Sequence, residues 1–463
     1  MGSHVERPPR ALLFPVVASG HWGPFLQLIL QLATKKLNFT LLADRGRCDE
    51  LKAYQAKGAF ATIDVEFLEV YTDPSTLSLR KDLVPAMWTN LESFISNGEF
   101  DPSRYTCMIS DMFLYFCQDL ADKWGIPNYF YVTCPTYFGL VLLHGEGIVD
   151  GGWIPQNPVK RKQFLDLPGL EMFTGGDMPM ALTEMEPDLF HLLPRAIKGS
   201  AGLVFNSFEE FEKKPLSDLR DQLKLNAMPG KGPPTVFTIG PLLLLPGIPG
   251  ALDDTKPVEK SESIAWLDKQ QKSSVLFICF GSQRELPEPL ITGIASGLED
   301  TGVPFLWALR IPPQSSKIES LPEGFESRTQ SRGLVLTSWV PQQEILLHPS
   351  VGGFLTHCGW NSILESMLGG VPIAAFPLYA EQRMNQRYMV NAVKTAVAIE
   401  GEHGQYEAKE IAAAIMRLLK GKEGVEARQN MQIMKEMAYA AMEEGGSSHK
   451  NLQNFLAEVQ RVR

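Results

Sequence analysis

Short apolar runs alternate with longer amphipathic stretches along most of the chain, a pattern typical of βαβ units. In the first half, apolar runs predict buried strands at residues 11–17, 39–43, 106–110, 128–132 and 204–206. Residues 25–34 and 113–124 lie between such runs and have the apolar spacing of helices. The pattern favours a parallel sheet covered by helices, so the predicted fold class is α/β.

The alternation stops near the middle of the chain and then restarts. Between residues 229 and 258 the composition shifts to Pro, Gly, Asp and Lys, which cannot hold a regular element. The later predicted strands are 274–279, 304–309, 334–337, 353–356 and 372–376, with helices at 288–299 and 361–368. We therefore expect a first domain at 1–240, a linker at 241–262, a second domain at 263–445, and a C-terminal helix at 446–463 that packs back on the first domain.

Composition and charge narrow the class of protein. Hydrophobic residues make up 44% of the 463 positions and charged residues 21%, as in ordinary globular proteins. The net charge of -10 argues against nucleic acid as a partner. No run approaches the ~20 apolar residues of a membrane helix. Arg7 and Arg10 before an apolar run at 11–18 imitate a signal peptide, but the run is short and contains Pro15, which favours a buried strand.

The cysteines indicate a reducing compartment. The six cysteines include no CxxC pair, and Cys107 and Cys279 lie in strand-like runs where a thiol packs as a small hydrophobe. We therefore expect a cytoplasmic protein.

One segment combines several features of a phosphate site. Residues 339–382 read WVPQQEILLHPSVGGFLTHCGWNSILESMLGGVPIAAFPLYAEQ. Within it, residues 352–355 predict a strand, residues 356–359 a turn that contains glycine, and a helix begins near Trp360. Such a turn directs backbone N–H groups and the positive end of the helix dipole at one spot, which suits phosphate.

Polar side chains follow that turn. His357 adds a hydrogen-bond donor, and Asn361 and Ser362 add donors in the first helical turn. Glu365 lies one turn further along the same face, where its carboxylate can accept from two sugar hydroxyls. Trp339 offers a flat face on which a base could stack. Each of these residues alone has an ordinary structural explanation, but together they predict a site for a nucleoside diphosphate.

The segment resembles, end to end, the signature box of plant secondary-product UDP-dependent glycosyltransferases, which runs from W-x-P-Q through H-C-G-W-N-S and E to a final acidic residue followed by Gln. Four other short motifs also resemble motifs of that family: NSFEEFE at 206–212, IGPL at 239–242, WLD at 266–268 and FGS at 280–282. The resemblance implies the glycosyltransferase-B fold: two doubly wound Rossmann-like domains facing each other across a cleft, with the acceptor pocket in the first and the UDP-sugar site in the second.

The resemblance also implies a role for each donor-site residue. Trp339 would stack on uracil and the backbone of Val340 would pair with it, while Gln342 and Glu365 would hold the ribose. The residues implied for the diphosphate are Ser282, His357, Asn361 and Ser362. Those implied for the sugar are Trp360, Glu381 and Gln382. Glu381 replaces the family's more usual Asp and is one methylene longer, and Gln at position 382 is associated with glucose.

A transfer to a hydroxyl needs a group that takes the acceptor proton, and His has the side-chain pKa nearest neutrality. His21 comes after the first predicted strand, at the edge where parallel sheets bind ligands, and Asp111 follows another predicted strand. A carboxylate there can orient the imidazole. The patterns G-H-x-x-P at 20–24 and S-D-M-F at 110–113 resemble the family's catalytic dyad. Asp111 could instead cap the next helix, and Pro24 is expected in a first helical turn.

No cofactor is expected. The chain contains no Asp-x-Asp, the pattern with which many metal-dependent sugar transferases hold a cation, and His348 and His357 lack metal-ligand spacing. The helix dipole and the donors of the turn would stabilise the leaving diphosphate without a metal. The expected partners are UDP-glucose as co-substrate and a small aromatic acceptor, and we expect the chain to act as a monomer.

Aromatic residues near the expected acceptor pocket favour a planar acceptor such as a flavonoid or a related phenolic. They are Trp22, Trp88, Phe113, Tyr137, Phe138 and Tyr379. Trp22 replaces an aliphatic residue usual in the family and Gly23 its common Asn, so Trp22 either stacks on the acceptor or fills a bulky void. We predict an inverting UDP-glucosyltransferase that forms a β-glucoside, with His21 as general base assisted by Asp111.

Other functions stay open at this point. A C-glycosyltransferase acting on a flavonoid and an O-glucosyltransferase for terpenoids or other small molecules would share these motifs. A non-catalytic sugar-nucleotide-binding protein would have no use for His21 and Asp111. A hydrolase with Cys358 as nucleophile would lack a base other than His357, which the donor site already uses.

Overall fold

The computed structural model describes residues 8–16, 19–71, 91, 93, 95–97, 100–154, 159–179, 189–242, 261–281, 285–311, 321–399, 401 and 406–461. These residues divide into two compact units. Unit 1 takes the described residues up to Gly175, those at 189–242, and those from Ala441 onward. Unit 2 takes Gly176–Pro179 and the described residues from 261 to Ala440. Most of the expected linker, at 243–260, lies outside the described residues.

Unit 1 is built on a parallel sheet with seven strands among its described residues, in the order β3-β2-β1-β4-β5-β6-β7. The strands are β1 (Arg10–Phe14), β2 (Asn38–Asp44), β3 (Val65–Tyr71), β4 (Cys107–Asp111), β5 (Asn128–Val132), β6 (Gly202–Phe205) and β7 (Thr235–Thr238). The helices are α1 (Ser19–Thr34), α2 (Arg45–Ala56), α3 (Phe116–Trp124), α4 (Thr136–Leu143), α5 (Gly145–Asp150), α6 (Leu189–Gly199) and α7 (Lys213–Leu225).

Unit 2 contains a second parallel sheet, with six described strands in the order β10-β9-β8-β11-β12-β13. They are β8 (Val275–Cys279), β9 (Phe305–Ala308), β10 (Gly333–Leu336), β11 (Val351–Thr356), β12 (Ile373–Ala375) and β13 (Ala396–Ala398). The helices are α8 (Glu262–Leu267), α9 (Glu288–Thr301), α10 (Phe325–Thr329), α11 (Gln342–Leu347), α12 (Trp360–Gly369), α13 (Gln382–Arg387), α14 (Ala408–Lys420) and α15 (Lys422–Met442). The predicted α/β class with two parallel sheets is confirmed.

The strands with the clearest apolar signal are buried along their whole length. Every residue of β1, β4 and β5 is buried, which explains why these strands appear in the sequence as continuous apolar runs. The strands that the pattern missed are β3, β7 and β13, and all three are edge strands. Their segments are short or carry polar residues, as in VEFLEVY of β3, so their apolar signal is weak.

The first helix begins earlier than predicted. We expected it at residue 25, with Pro24 in its first turn, but α1 begins at Ser19 and contains Pro24 internally. Glycine and proline are the poorest helix formers. Because Gly20, Gly23 and Pro24 lie in the first two turns of α1, the sequence pattern does not predict a helix there. His21 therefore lies in the first turn of α1 rather than in a loop.

A further helix among the described residues, α16 (Ser447–Val459), packs within unit 1. The carbonyl of Val459 accepts a hydrogen bond from Thr106 Oγ1 at 2.9 Å, and Tyr129 donates its hydroxyl to Glu458 Oε2 at 3.0 Å. The ring of Phe455 meets Tyr129 edge-on at 5.3 Å. Apolar and polar contacts together fix this helix on the sheet of unit 1.

Two further features concern the whole of the described chain. No helix in its described ranges has the length and apolar character needed to cross a membrane. All six cysteines fall within the described residues, and each is a free thiol.

Candidate active site

His21 and Asp111 meet at the carboxyl edge of the sheet in unit 1. Nδ1 of His21 lies 2.8 Å from Oδ2 of Asp111, whose side chain is completely buried. The other carboxylate oxygen of Asp111 accepts the backbone N–H of Phe113 at 3.0 Å. The carboxylate is therefore fixed at both oxygens and orients the imidazole of His21 through Nδ1.

The topology of the sheet explains this meeting. Strands β1 and β4 are neighbours and parallel, with Phe14 in register with Ser110. Asp111 is the last residue of β4, and the chain leaves β1 at the same edge to begin α1 with His21 in its first turn. Residues that are distant in sequence therefore share one edge because parallel strands end together.

One further residue of this edge, Thr133, was not predicted from the sequence. Thr133 directly follows β5, the neighbour of β4, and its Oγ1 lies 3.3 Å from Nδ1 of His21. Its position after a buried strand was the available signal, but a lone Thr does not stand out among the residues that follow strands. The imidazole therefore has a hydroxyl as well as a carboxylate beside Nδ1.

The aromatic residues proposed for the acceptor have different environments. The ring of Phe113 lies 5.3 Å from the ring of His21, beside the base. Trp22 is only 3% exposed, donates its indole N–H to Glu50 at 2.9 Å and lies under the guanidinium of Arg47. This packing favours the alternative in which Trp22 fills a bulky void. Tyr137 and Phe138 are also buried, in α4.

In unit 2, strand β11 ends at Thr356 and a short turn leads into α12. Gly359 is the N-cap and offers no capping side chain, and the N-terminal end of α12, with its N–H groups and the positive end of the helix dipole, suits an anion. Cys358 in the turn has φ of +65°, a conformation that L-residues rarely adopt. The predicted strand, turn and helix lie within two residues of the observed bounds.

His357 is enclosed by two glycines. A Cβ at Gly359 would lie 2.5 Å from Nε2 of His357, and a Cβ at Gly281 would lie 3.0 Å from the same ring. Burial lowers the pKa of His357 to about 4, so the ring is neutral at pH 7. Thr356 Oγ1 lies 3.2 Å from Nδ1. A neutral imidazole held in this way can donate one N–H to a phosphate oxygen.

The residues assigned to the ribose form one hydrogen-bonded group. Gln342, the first residue of α11, donates its amide to Ser362 Oγ at 3.1 Å and to Glu365. Gln343 donates to the other oxygen of Glu365 at 3.4 Å. Burial raises the pKa of Glu365 to about 7, against the opposing effect of these two amides. The carboxyl is thus oriented before any ligand arrives.

Trp339 and Val340 differ sharply in exposure. Trp339 is 86% exposed, although tryptophan side chains are usually mostly buried. Val340, the next residue, is buried. An indole face in this position is open to a flat ligand.

The residues assigned to the sugar lie at the start of α13. Gln382 is buried, and its Oε1 accepts the backbone N–H groups of Leu378 and Tyr379, each at 2.9 Å. This leaves the amide N–H₂ of Gln382 for a ligand. Glu381 precedes it, and Tyr379 packs against His357 with ring centroids 6.2 Å apart. The side chain of Trp360 is buried at the start of α12.

The structure brings the donor residues of unit 2 together on α11, α12, α13 and the turns before them. Asn361, in the first turn of α12, is partly exposed. Ser282 and Trp88 lie outside the described residues. Among the residues that are described, no group of three or more His, Cys, Asp or Glu side chains could hold a metal ion.

Comparisons with known proteins agree on one family. Residues 248–434 match the family described as "UDP-glucoronosyl and UDP-glucosyl transferase". Baicalein 7-O-glucuronosyltransferase of Scutellaria baicalensis is 34% identical over 76% of this chain and 81% of its own length. Phloretin 2'-O-glucosyltransferase of Malus domestica is also 34% identical, over 76% of both chains. The structure of Phytolacca americana UGT2 complexed with UDP-2fluoro-glucose and pterostilbene superposes with a TM-score of 0.78 at 27% identity, covering 98% of this chain and 99% of that one.

Proposed function

The chain belongs to the plant UDP-glycosyltransferases, and from that premise we propose that it transfers glucose from UDP-glucose to a hydroxyl of a small aromatic acceptor, giving a β-glucoside. The observation that carries the proposal is the pairing of His21 Nδ1 with the buried Asp111 at 2.8 Å. A protein that only binds a sugar nucleotide would need no such oriented base.

The proposed reaction is a direct displacement. Nε2 of His21 takes the proton of the acceptor hydroxyl while the acceptor oxygen bonds to the anomeric carbon of the sugar. The bond from that carbon to the diphosphate oxygen breaks, and UDP leaves with the electron pair. Attack from the face opposite the leaving group inverts the configuration, and Asp111 stabilises the imidazolium that forms on His21.

The leaving diphosphate is stabilised by groups that are already in place. We assign this role to the first N–H groups of α12 with Asn361 and Ser362 and to the neutral His357. We propose the same role for Ser282, which lies outside the described residues. Trp339 supplies the face for uracil and Val340 its backbone. Gln342 and Glu365, already hydrogen-bonded to each other, hold the ribose. We propose that these donors stabilise the leaving group without a metal ion.

Glucose is the sugar that the site favours. Gln382 offers an amide N–H₂ and Glu381 a carboxylate, and both suit neutral hydroxyls. The negative charge of Glu381 disfavours a sugar that carries a carboxylate of its own, such as glucuronate. Trp360, at the start of α12, supports this end of the site from its buried position.

The proposed acceptor is a flavonoid or related phenol. Phe113 lies beside the base in unit 1, where its ring can contact a flat ligand. A phenol with a pKa of about 10 also loses its proton to His21 more easily than an aliphatic alcohol does. Relatives named for baicalein and phloretin support this class of acceptor. We propose that the enzyme works as a monomer in the cytosol, where its six free thiols are stable.

The test is a matrix of donors and acceptors on the full-length protein with mass detection. UDP-glucose, UDP-galactose, UDP-xylose and UDP-glucuronate are each paired with flavonoids, simple phenols and terpenoid alcohols. We expect the highest kcat/KM with UDP-glucose and a flavonoid, and release of glucose on acid hydrolysis as for an O-glucoside. A higher kcat/KM with another donor would overturn the assignment of glucose. Turnover of terpenoid alcohols alone would overturn the acceptor class, and an acid-resistant product would show a C-glycoside.

A further inference from the structure

Asn385 lies in α13, one helical turn after Glu381, and none of its surface is exposed. A buried amide must place its donors on acceptors, because each unsatisfied polar group in the interior is costly. The two groups that accept hydrogen bonds from the Asn385 amide belong to different parts of the donor site. Nδ2 donates to the backbone carbonyl of Cys358 at 2.8 Å and to Oε1 of Glu381 at 3.2 Å.

The first of these bonds holds the turn before α12. Cys358 has φ of +65°, a left-handed conformation that L-residues rarely adopt. The hydrogen bond to its carbonyl stabilises that conformation. The same turn places Gly359 at the N-cap of α12 and so sets the direction of the N–H groups assigned to the diphosphate.

The second bond restrains the carboxylate assigned to the sugar. Ala380, directly before Glu381, is also left-handed, with φ of +49°. Strained residues of this kind persist where the surrounding contacts hold them, and they concentrate at functional sites. Glu381 has one more rotatable bond than the shorter Asp would have. By holding Oε1, Asn385 restricts this freedom and orients the carboxylate.

We propose that Asn385 is a positioning residue for sugar recognition, joining the turn that receives the diphosphate to the carboxylate that receives the sugar. The inference rests on the proposed function, because it needs Glu381 to contact the sugar of UDP-glucose. It assigns a buried side chain outside the 339–382 segment to the donor site. Its effect should therefore appear in the preference for UDP-glucose over UDP, and not in general stability alone.

The experiment measures the dissociation constants of UDP and UDP-glucose by calorimetry for the full-length wild type and Asn385→Ala, without acceptor. We expect the Kd of UDP-glucose to rise about tenfold more than that of UDP, the order for loss of one hydrogen bond to a charged group. The matched control is Gln386→Ala. Gln386 is the next residue of α13 and donates to the carbonyl of Ala375 at 3.0 Å, but it is not bonded to the turn or to Glu381 in the structure. Gln386→Ala should change the Kd of UDP and the Kd of UDP-glucose by the same factor.

A double-mutant cycle separates positioning from general damage. If Asn385 acts through Glu381, Asn385→Ala in a Glu381→Ala background should produce no further loss of preference for UDP-glucose. Additive losses in the cycle, or equal losses for UDP and UDP-glucose in the single variant, would overturn the proposal. If Asn385→Ala does not fold, Asn385→Asp serves instead: it keeps the shape, lacks the donor and repels Glu381, so it should lower the preference further. A wild type that binds neither ligand would contradict the proposed function itself.

Discussion

His21 and Asp111 are ninety positions apart, and their contact defines the chemistry at the residue scale. The buried carboxylate uses one oxygen on the imidazole and the other on the N–H of Phe113, so it has little freedom to turn. Thr133 adds a hydroxyl near the same nitrogen. An imidazole oriented in this way can cycle between its neutral and protonated forms without moving, which is what a general base requires.

The prediction at this scale is that His21→Ala abolishes transfer and leaves UDP affinity within a few fold. Removing a general base typically costs ~100- to 10,000-fold in rate. The rate is measured with UDP-glucose and a phenolic acceptor, and UDP affinity by calorimetry. His191→Ala, at an exposed position of α6, is the matched control and should behave as wild type. Near-normal turnover by His21→Ala would show that another group takes the proton.

Glu212 determines how several elements of unit 1 join. It is fully buried before α7, where its Oε1 accepts both the backbone N–H and the hydroxyl of Thr136, each at 2.8 Å. Its Oε2 accepts the hydroxyl of Ser207, which follows β6. Thr136 is the first residue of α4, so one carboxyl ties α4, α7 and the end of β6 together. Burial raises the pKa of Glu212 to about 7, although these hydrogen bonds act in the opposite direction.

This raised pKa predicts a pH dependence at the element scale. Between the unfolded value of 4.5 and about 7, the folded protein keeps a proton that the unfolded chain releases, so this group's contribution to stability falls as pH rises through that window. Glu212→Gln does not titrate and can keep the hydrogen bonds. Its free energy of unfolding relative to wild type should therefore increase, by on the order of 1–3 kcal/mol, between pH 5 and pH 8, because wild type loses stability over this range and the variant does not. Urea denaturation at both pH values measures the difference.

Glu209 provides the control. Burial raises its pKa, but hydrogen bonds from Arg220 and Asn451 outweigh burial and leave the pKa below its usual value. Its titration therefore falls below pH 5, and Glu209→Gln should show little change between pH 5 and pH 8. An equal pH response in the two variants would mean that the proton on Glu212 is not the cause.

At the scale of the whole molecule, the proposed chemistry is divided between two units. Unit 1 contributes the base at the edge of its sheet, and unit 2 contributes the donor residues around β11 and α12. Each set is held by elements of its own unit, as with Gln342, Ser362 and Glu365. Binding of the donor should therefore stabilise the folded state of unit 2 even when no acceptor is present.

The prediction at this scale concerns hydrogen exchange. UDP at 100 times its Kd should stabilise the folded state by about 2.7 kcal/mol and slow exchange of amides in the segments that hold it. We expect protection centred on residues 339–342 and 356–362, measured by mass spectrometry of peptides. Addition of a phenolic acceptor should then extend protection to residues 111–113. Protection by UDP alone that centred on residues 20–23 would contradict the placement of the donor site in unit 2.

Local sequence signals sufficed to predict the α/β fold class, which the structure confirms, and to single out the donor segment, His21 and Asp111 as candidates. These depend on local signals: buried strands are apolar runs, and the turn at residues 356–359 and the residues at strand ends stand out by type and spacing. Three features are visible only in the folded structure. Trp22 packs beneath Arg47, His357 is neutral between two glycines, and Asn385 joins Cys358 to Glu381 by hydrogen bonds. Burial and hydrogen bonding of this kind arise between residues brought together from distant positions, so no local pattern encodes them.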